Sequence, residues 1–577
     1  MVCGQCIKQF EIIEQDRAFY RRIKVPEPTF CPDCRRQRRF AFRNERALYS
    51  RACDLCKKIT VNFYSPSYAG PVYCQPCWWS DNWDPFLYAR KYDPSAPFFD
   101  QLKDLFRSVP QIAMMSKSGE NSDFTAHCWE NRNGYLLISS GGNEDCYYGL
   151  QIAESQNVVD SMFARGSELG YELVDCEKMY NSSWCQQSSN CMDSSFLYDC
   201  SGCTNCFMSA NLKNKNYVFN NEQLNRGEYE KRMSAIYFGS YTKIEGLKQD
   251  FISMIHTVAI HKYSQQTRCE NSTGNYLLNC VNANECFDAR NLEDCKYIVI
   301  SPGPTKDSYD SNYIALGSEL FCDVLSNIEP AMNEQFCQYS WASSNLQYCS
   351  YVMNSDNCFG SQGLRKARFC ILNTQYSQEE YEKLRARIIE DMSRRGEYGQ
   401  FFPANLSAFG YNETIANDDF PLSKEEALGQ GFNWCDETAG KFGKPTKEWS
   451  SVPDDIAHID ESIMREVLAC SDCGKNFKIV KAELSFYKKM NVPLPRRCFD
   501  CRHMARMRMR NPRHLWHRQC MCDRAGHDHG SRAEVAPELQ QRRTKAGSQC
   551  PTMFETTYAP DRSEKVFCEA CYQKEIV

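Results

Sequence analysis

The chain has 577 residues, 24% of them charged, a net charge of −5 and 35 cysteines. That length exceeds what one hydrophobic core usually serves, so several domains are expected. The opening MVCGQCIKQF lacks the apolar core of a signal peptide, and no run of about 18 apolar residues marks a membrane helix. A secreted disulfide scaffold and a membrane protein are therefore not expected. A reducing cytoplasm is, with thiols bound to metal or buried as small hydrophobes.

The first element is a pair of knuckles, Cys3-x-x-Cys6 and Cys31-x-x-Cys34. Two residues between cysteines let a tight turn aim both sulfurs at one ion, and two such turns complete a tetrahedral structural zinc site. The unit recurs 467 residues on without a gap, as Cys470, Cys473, Cys498 and Cys501. Phe10, Phe19, Tyr20, Val25 and Pro26 meet Phe477, Phe486, Tyr487, Val492 and Pro493. A zinc-ribbon pattern follows the first copy, with Cys53, Cys56, Cys74 and Cys77. Its repeat carries 27 extra residues within the first knuckle, which assigns the last site to Cys520, Cys550, Cys568 and Cys571. Cys522, His527 and His529 lie at the start of that insertion; they offer a replacement ligand or a further ion site, but such a His-Asp-His cluster is more often a solvated loop. About four zinc ions are expected.

Charge is unevenly spread. Arg35–Arg51 holds seven arginines and one acid, and Arg496–Arg518 eight and one. Arg35, Arg36, Arg38 and Arg39 follow the second knuckle of the first unit; Arg502, Arg506, Arg508 and Arg510 follow that of its repeat. On the outer face of a helix they would grip phosphates, so RNA or DNA is the expected partner. The competing role is to balance thiolate charge or to pair with the acidic remainder. Trp78, Trp79 and Trp83 fit a packed cap on the adjacent zinc unit better than a base-stacking platform.

Between the paired modules, from 124 to 396, Asn, Ser, Cys and aromatic residues crowd together. Cys185, Cys191, Cys200 and Cys206 are six, nine and six residues apart, and Cys280, Cys286 and Cys295 six and nine. These spacings predict a β-solenoid of about 15 residues per turn. A duplication overlies it, Cys185 meeting Cys337 and Cys206 meeting Cys358 at an offset of 152. The solenoid cysteines are expected to be packing residues, with Cys200, Cys203 and Cys206 a weaker candidate for an iron–sulfur run. Serine at Cys191 or Cys286 should then cost about 1–3 kcal/mol. His127, Cys128, His256 and His261 suggest thiol–imidazole chemistry only faintly, since no orienting third group can be named.

The expected organisation is mainly β: a duplicated cysteine-rich solenoid between two zinc-ribbon or treble-clef pairs. Its divisions are zinc units at 1–46 and 47–80, a connector at 81–123 and solenoid halves at 124–250 and 251–396. A second connector at 397–465 precedes zinc units at 466–512 and 513–577.

The terminal unit resembles a small bacterial domain described as a zinc ribbon or treble clef. The whole chain resembles large uncharacterised cysteine-rich zinc-ribbon proteins of candidate-phylum bacteria. The resemblance rests on CPDCRRQRRFAFRNER (31–46), the GSEL and NCF repeats, FGYNET (409–414), NPRHLWHRQC (511–520) and FCEACYQKEIV (567–577). It implies zinc binding and no particular activity. Composition favours a non-enzymatic binding protein. The alternatives are a protein–protein scaffold using the solenoid surface and a polysaccharide-active enzyme with a solenoid groove.

Overall fold

A computed structural model describes residues 1–437, 443–523 and 549–576. The chain divides into two compact units, neither contiguous in sequence. One comprises Met1–Met114, Ser264–Glu437 and Pro512–Leu515; the other comprises Met115–Tyr263, Thr438–Asn511 and Trp516–Val577. The N-terminal cysteine modules thus belong with the second solenoid half, and the C-terminal modules with the first. No helix among the described residues is long and apolar enough to cross a membrane.

Each half is a coil of short parallel strands. In the first, Gln156 pairs with Glu168 and Glu168 with Tyr180, a step of 12 residues. In the second the step is mostly 12, and 13 where Tyr309 pairs with Cys322 and Cys322 with Gln335. The expected 15-residue turn is therefore corrected. The repeating element is a triplet, four to a turn. Its second residue sits in the left-handed region, as at His127, Glu130, Asn133, Leu136 and Ser139, each with φ near +50°. Its third residue points inward, as at Cys128, Asn131, Gly134, Leu137 and Ser140, all buried. Cysteines six, nine or 15 apart all fall on that inward register. Asn, Asp and Gly recur at the corners because they tolerate positive φ best.

The interior is narrow. A Cβ added to Gly149 would lie 2.5 Å from Ile152 Cγ1. Inward serines weave the turns together: Ser140 Oγ donates to Ile138 O (2.7 Å) and accepts from Ile152 N–H (2.9 Å). Cysteine takes the same geometry, with Cys128 Sγ donating to Ala126 O (3.3 Å) and accepting from Ser140 N–H (3.4 Å). Cysteine and serine thus take the same hydrogen bonds in these slots, which are polar where the sequence suggests apolar ones. Cys191→Ser should change unfolding free energy by less than about 1 kcal/mol, because Ser189 O already accepts at that slot. Urea denaturation checks this; a loss above about 3 kcal/mol would mean that the hydroxyl finds no partner.

Both halves end alike. Val218 pairs antiparallel with Gln223, and the helix Arg226–Met233 follows, N-capped by Asn225. Cys370 pairs antiparallel with Gln375, and the helix Gln378–Arg394 follows, N-capped by Ser377 with Glu380 closing the box.

Candidate metal centres

In module 1 a short ribbon, Val2 bridged to Gln9, carries the first knuckle. Ile7 closes the turn at φ 63°, its N–H donating to Cys3 O (3.1 Å). The second knuckle opens a helix, with Cys31 as N-cap of Pro32–Phe40 and Cys34 in its first turn. Module 3 repeats this with Cys498 before Phe499–Arg508. In modules 2 and 4, Cys74 caps Gln75–Trp79 and Cys568 precedes Glu569–Ile576. Placing the second knuckle at a helix N-terminus turns the positive end of the dipole toward the thiolates.

The sulfurs converge in four groups: Cys3, Cys6, Cys31 and Cys34; Cys53, Cys56, Cys74 and Cys77; Cys470, Cys473, Cys498 and Cys501; and Cys520, Cys550, Cys568 and Cys571. Within each group every Sγ lies within 4.8 Å of the others. Sulfurs about 2.3 Å from a tetrahedral ion lie about 3.8 Å apart. Cys6 and Cys31 are 3.6 Å apart, and Cys56–Cys74 and Cys473–Cys498 both 3.7 Å. Backbone N–H groups point at one sulfur of each set: Cys31 N–H at Cys3, Cys74 N–H at Cys53, Cys498 N–H at Cys470 and Cys568 N–H at Cys520, each at 3.2 Å. Burial raises the Cys53 and Cys470 pKa values, but these N–H groups outweigh it and bring both down to about 7. Each group thus suits a tetrahedral, thiolate-binding metal ion with no open position.

Cys522 is buried beside the fourth group, its carbonyl accepting from Cys550 N–H (2.8 Å). His527 and His529 lie outside the described residues. Cys200, Cys203 and Cys206 all point into the solenoid core and form no such convergent group among the described residues. His261 is buried, with Nδ1 facing Tyr198 Oη (2.8 Å) and Tyr558 Oη (3.0 Å), and Nε2 donating to Ile255 O (3.0 Å). Burial lowers its pKa to about 4, so it is a neutral structural residue at physiological pH. Trp78 is buried, donating its indole N–H to Pro110 O (3.1 Å), and Trp83 donates to Trp78 O (2.8 Å); Trp79 is exposed.

Most of the arginines face inward, which corrects the expectation of an outward, phosphate-gripping face. Arg35 is bidentate on Asp310, at 2.9 and 2.8 Å. Arg39 reaches Asp323 and Asn312. In the other unit, Arg502 and Arg506 (3.1 Å) share Asp160, and the Arg510 Nε–H is shared between the two carboxylate oxygens of Asp175, at 3.0 and 2.9 Å. Arg502 also lies 4.4 Å over the Tyr148 ring. Asp310, Asp323, Asp160 and Asp175 all sit at left-handed corners of the solenoid. The helices Pro32–Phe40 and Phe499–Arg508 are therefore each clamped to a solenoid flank by buried ion pairs. Arg36 binds Arg513 O (3.0 Å) and Asp33 (3.1 Å), and Arg38 covers the Phe30 ring at 4.2 Å. Arg508 is exposed. The sequence shows these arginines on one side of a helix, but their aspartate partners look like ordinary turn residues.

The fold and centres define a β-solenoid protein bearing four four-cysteine modules. No known family model matches the chain, and no curated protein matches it. A solved structure from Desulfovibrio desulfuricans G20, described as an acetyltransferase, covers 49% of this chain and 81% of its own at 7% identity. Its TM-score is 0.11.

Proposed function

We propose that this is a cytoplasmic structural-zinc protein that acts as a non-enzymatic scaffold, binding other proteins along the exposed solenoid face. The observation that carries the reading is the clamp. Closed four-thiolate sites fix helices whose buried arginines, Arg35, Arg39, Arg502 and Arg506, are taken up by solenoid aspartates, so metal and these cations alike serve architecture. Zinc suits such closed sites because it has no redox chemistry and no geometric preference beyond its ligands. The face left open in the first half carries Glu120, Arg132, Gln156, Glu168, Tyr180 and Met192, and beside them Glu130, Glu154, Lys178 and Asn190, all exposed. Rungs about 4.8 Å apart make this a long, nearly flat surface of mixed charge, suited to a partner protein rather than to a polyanion.

Elemental analysis and affinity purification from the native host test it. The expected result is about four zinc ions per chain, no iron absorbance, and a discrete protein partner without nucleic acid. Retained RNA or DNA that leaves with salt would revive the arginine reading and overturn this one. Iron in place of zinc would overturn the metal assignment.

A further inference from the structure

Inward cysteines that fall one rung apart stand one above the other. Cys358 pairs directly with Cys370. Cys337 and Cys349 are stacked in the same way, just before the bridged residues Gln338 and Ser350, as are Cys191 and Cys203 before Met192 and Thr204. All six are at most 1% exposed.

Cys269 and Cys280 form a further such pair, in the first rung of the second coil. Thr267 pairs with Leu278 and Glu270 with Val281, which sets Cys269 opposite Cys280. Glu270 N–H donates to Cys280 O (2.9 Å). Cys269 Sγ donates to Thr267 O and Cys280 Sγ to Leu278 O, both at 3.4 Å, so the two side chains take the same inward direction. Strands one rung apart bring Cα atoms to about 4.8 Å, inside the range of about 4.4–6.8 Å that a disulfide spans. This pair differs from the others in access. The strand Gln266–Thr267 ends its sheet and pairs on one side alone. Cys269 is half-buried, whereas every other solenoid cysteine is buried. Thr267, Arg268, Glu270 and Asn271 around it are exposed.

We propose that Cys269 and Cys280 are an oxidisable dithiol whose substrate is a small organic disulfide, R–S–S–R. The Cys269 thiolate attacks one sulfur, the S–S bond of the substrate breaks, R–S⁻ leaves and a mixed disulfide forms on Cys269. The Cys280 thiolate then attacks the Cys269 sulfur, the protein S–S bond forms and the second R–S⁻ leaves. The protons given up by the two cysteines end on the two departing thiolates. The protein is oxidised by two electrons and the substrate is reduced to two thiols. Burial pushes the Cys280 thiol up to about 11, so the accessible Cys269 reacts first. In a reducing compartment such a bond is transient and reversible. It staples the first rung to the second and uses neither the zinc groups nor the solenoid face proposed above.

The probe is oxidised glutathione, added to the zinc-loaded full chain, followed by alkylation of free thiols and tryptic mass mapping. Cys269, Cys280 and Cys286 share one tryptic peptide, residues 269–290. It should lose two hydrogens, carry the alkyl group on Cys286 alone and give no backbone fragments between 269 and 280. Zinc content should not change, and amide exchange at residues 267–270 should slow at least tenfold. Cys280→Ser should stop the reaction at a glutathione adduct on Cys269, and Cys269→Ser should cut oxidation of Cys280 at least tenfold. Serine keeps the hydrogen bonds to Leu278 O and Thr267 O, so neither result would reflect misfolding. Thiols at 269 and 280 that stay free under the probe overturn the proposal. Equal oxidation of Cys358 and Cys370 also overturns it, because general opening and not position would then select the thiols. So does zinc loss ahead of the bond, which would make the metal-binding thiolates the reacting groups.

Discussion

Asp160→Asn should destabilise the unit built on the first solenoid half by about 3–5 kcal/mol, the cost of leaving buried guanidinium groups without their counter-charge. Asp160 is fully buried and receives both Arg502 and Arg506, themselves 7% and 3% exposed. Asparagine keeps the shape and tolerates the left-handed corner at φ 50°, so the substitution removes charge and little else. Urea unfolding should show the loss. A change below about 1 kcal/mol would mean that the two arginines are compensated elsewhere. A triple variant, Asp160→Leu with Arg502→Met and Arg506→Met, should recover most of the stability, since a hydrophobic replacement avoids desolvating three charges. Leucine already occupies such corners at positions 136 and 169. If the triple variant is stable but misassembled, the clamp supplies register rather than strength.

Loss of metal should have the larger effect. Zinc contributes on the order of 10–16 kcal/mol to small modules that cannot fold alone. Cys470→Ser should therefore leave one ion fewer per chain and unfold the stretch from Leu468 to Arg508. Arg502 and Arg506 then leave Asp160, and the solenoid flank loses Phe499 from Tyr148 (5.7 Å) and Tyr487 from Tyr171 (5.9 Å). Hydrogen exchange should rise along residues 147–184 as well as in the module. Retained protection there would show that the module folds without its ion. Chelation should proceed in phases, because Cys56 and Cys473 are exposed whereas all four ligands of the last group are buried. The last group should be the slowest to empty.

The four cysteine groups were legible because knuckle spacing is a local property: a knuckle needs two intervening residues wherever it occurs. The solenoid was legible as a class from its Asn, Ser and Cys texture, and its duplication from offsets that reappear as matching hairpins and capped helices. The turn length was not. Cysteines occupy only some inward positions, so their spacings are multiples of three, and adding two of them gives a false period. The direction of the arginines was hidden for a different reason. Helical spacing puts Arg35 and Arg39 on one face, but whether that face meets solvent depends on Asp310 and Asp323, more than 270 residues away.

The crossed assignment of segments to units bears on synthesis. A nascent chain released as far as Tyr263 holds the N-terminal modules of one unit and the coil of the other, and so completes neither. The buried corners of that first coil, Asp160 among them, wait unpaired until Arg502 and Arg506 have left the ribosome. For most of translation the polypeptide displays unsatisfied carboxylates and an aromatic flank, a state that favours chaperone capture. Dividing the gene at the midpoint would yield two products, each with half of both units, that need each other to fold.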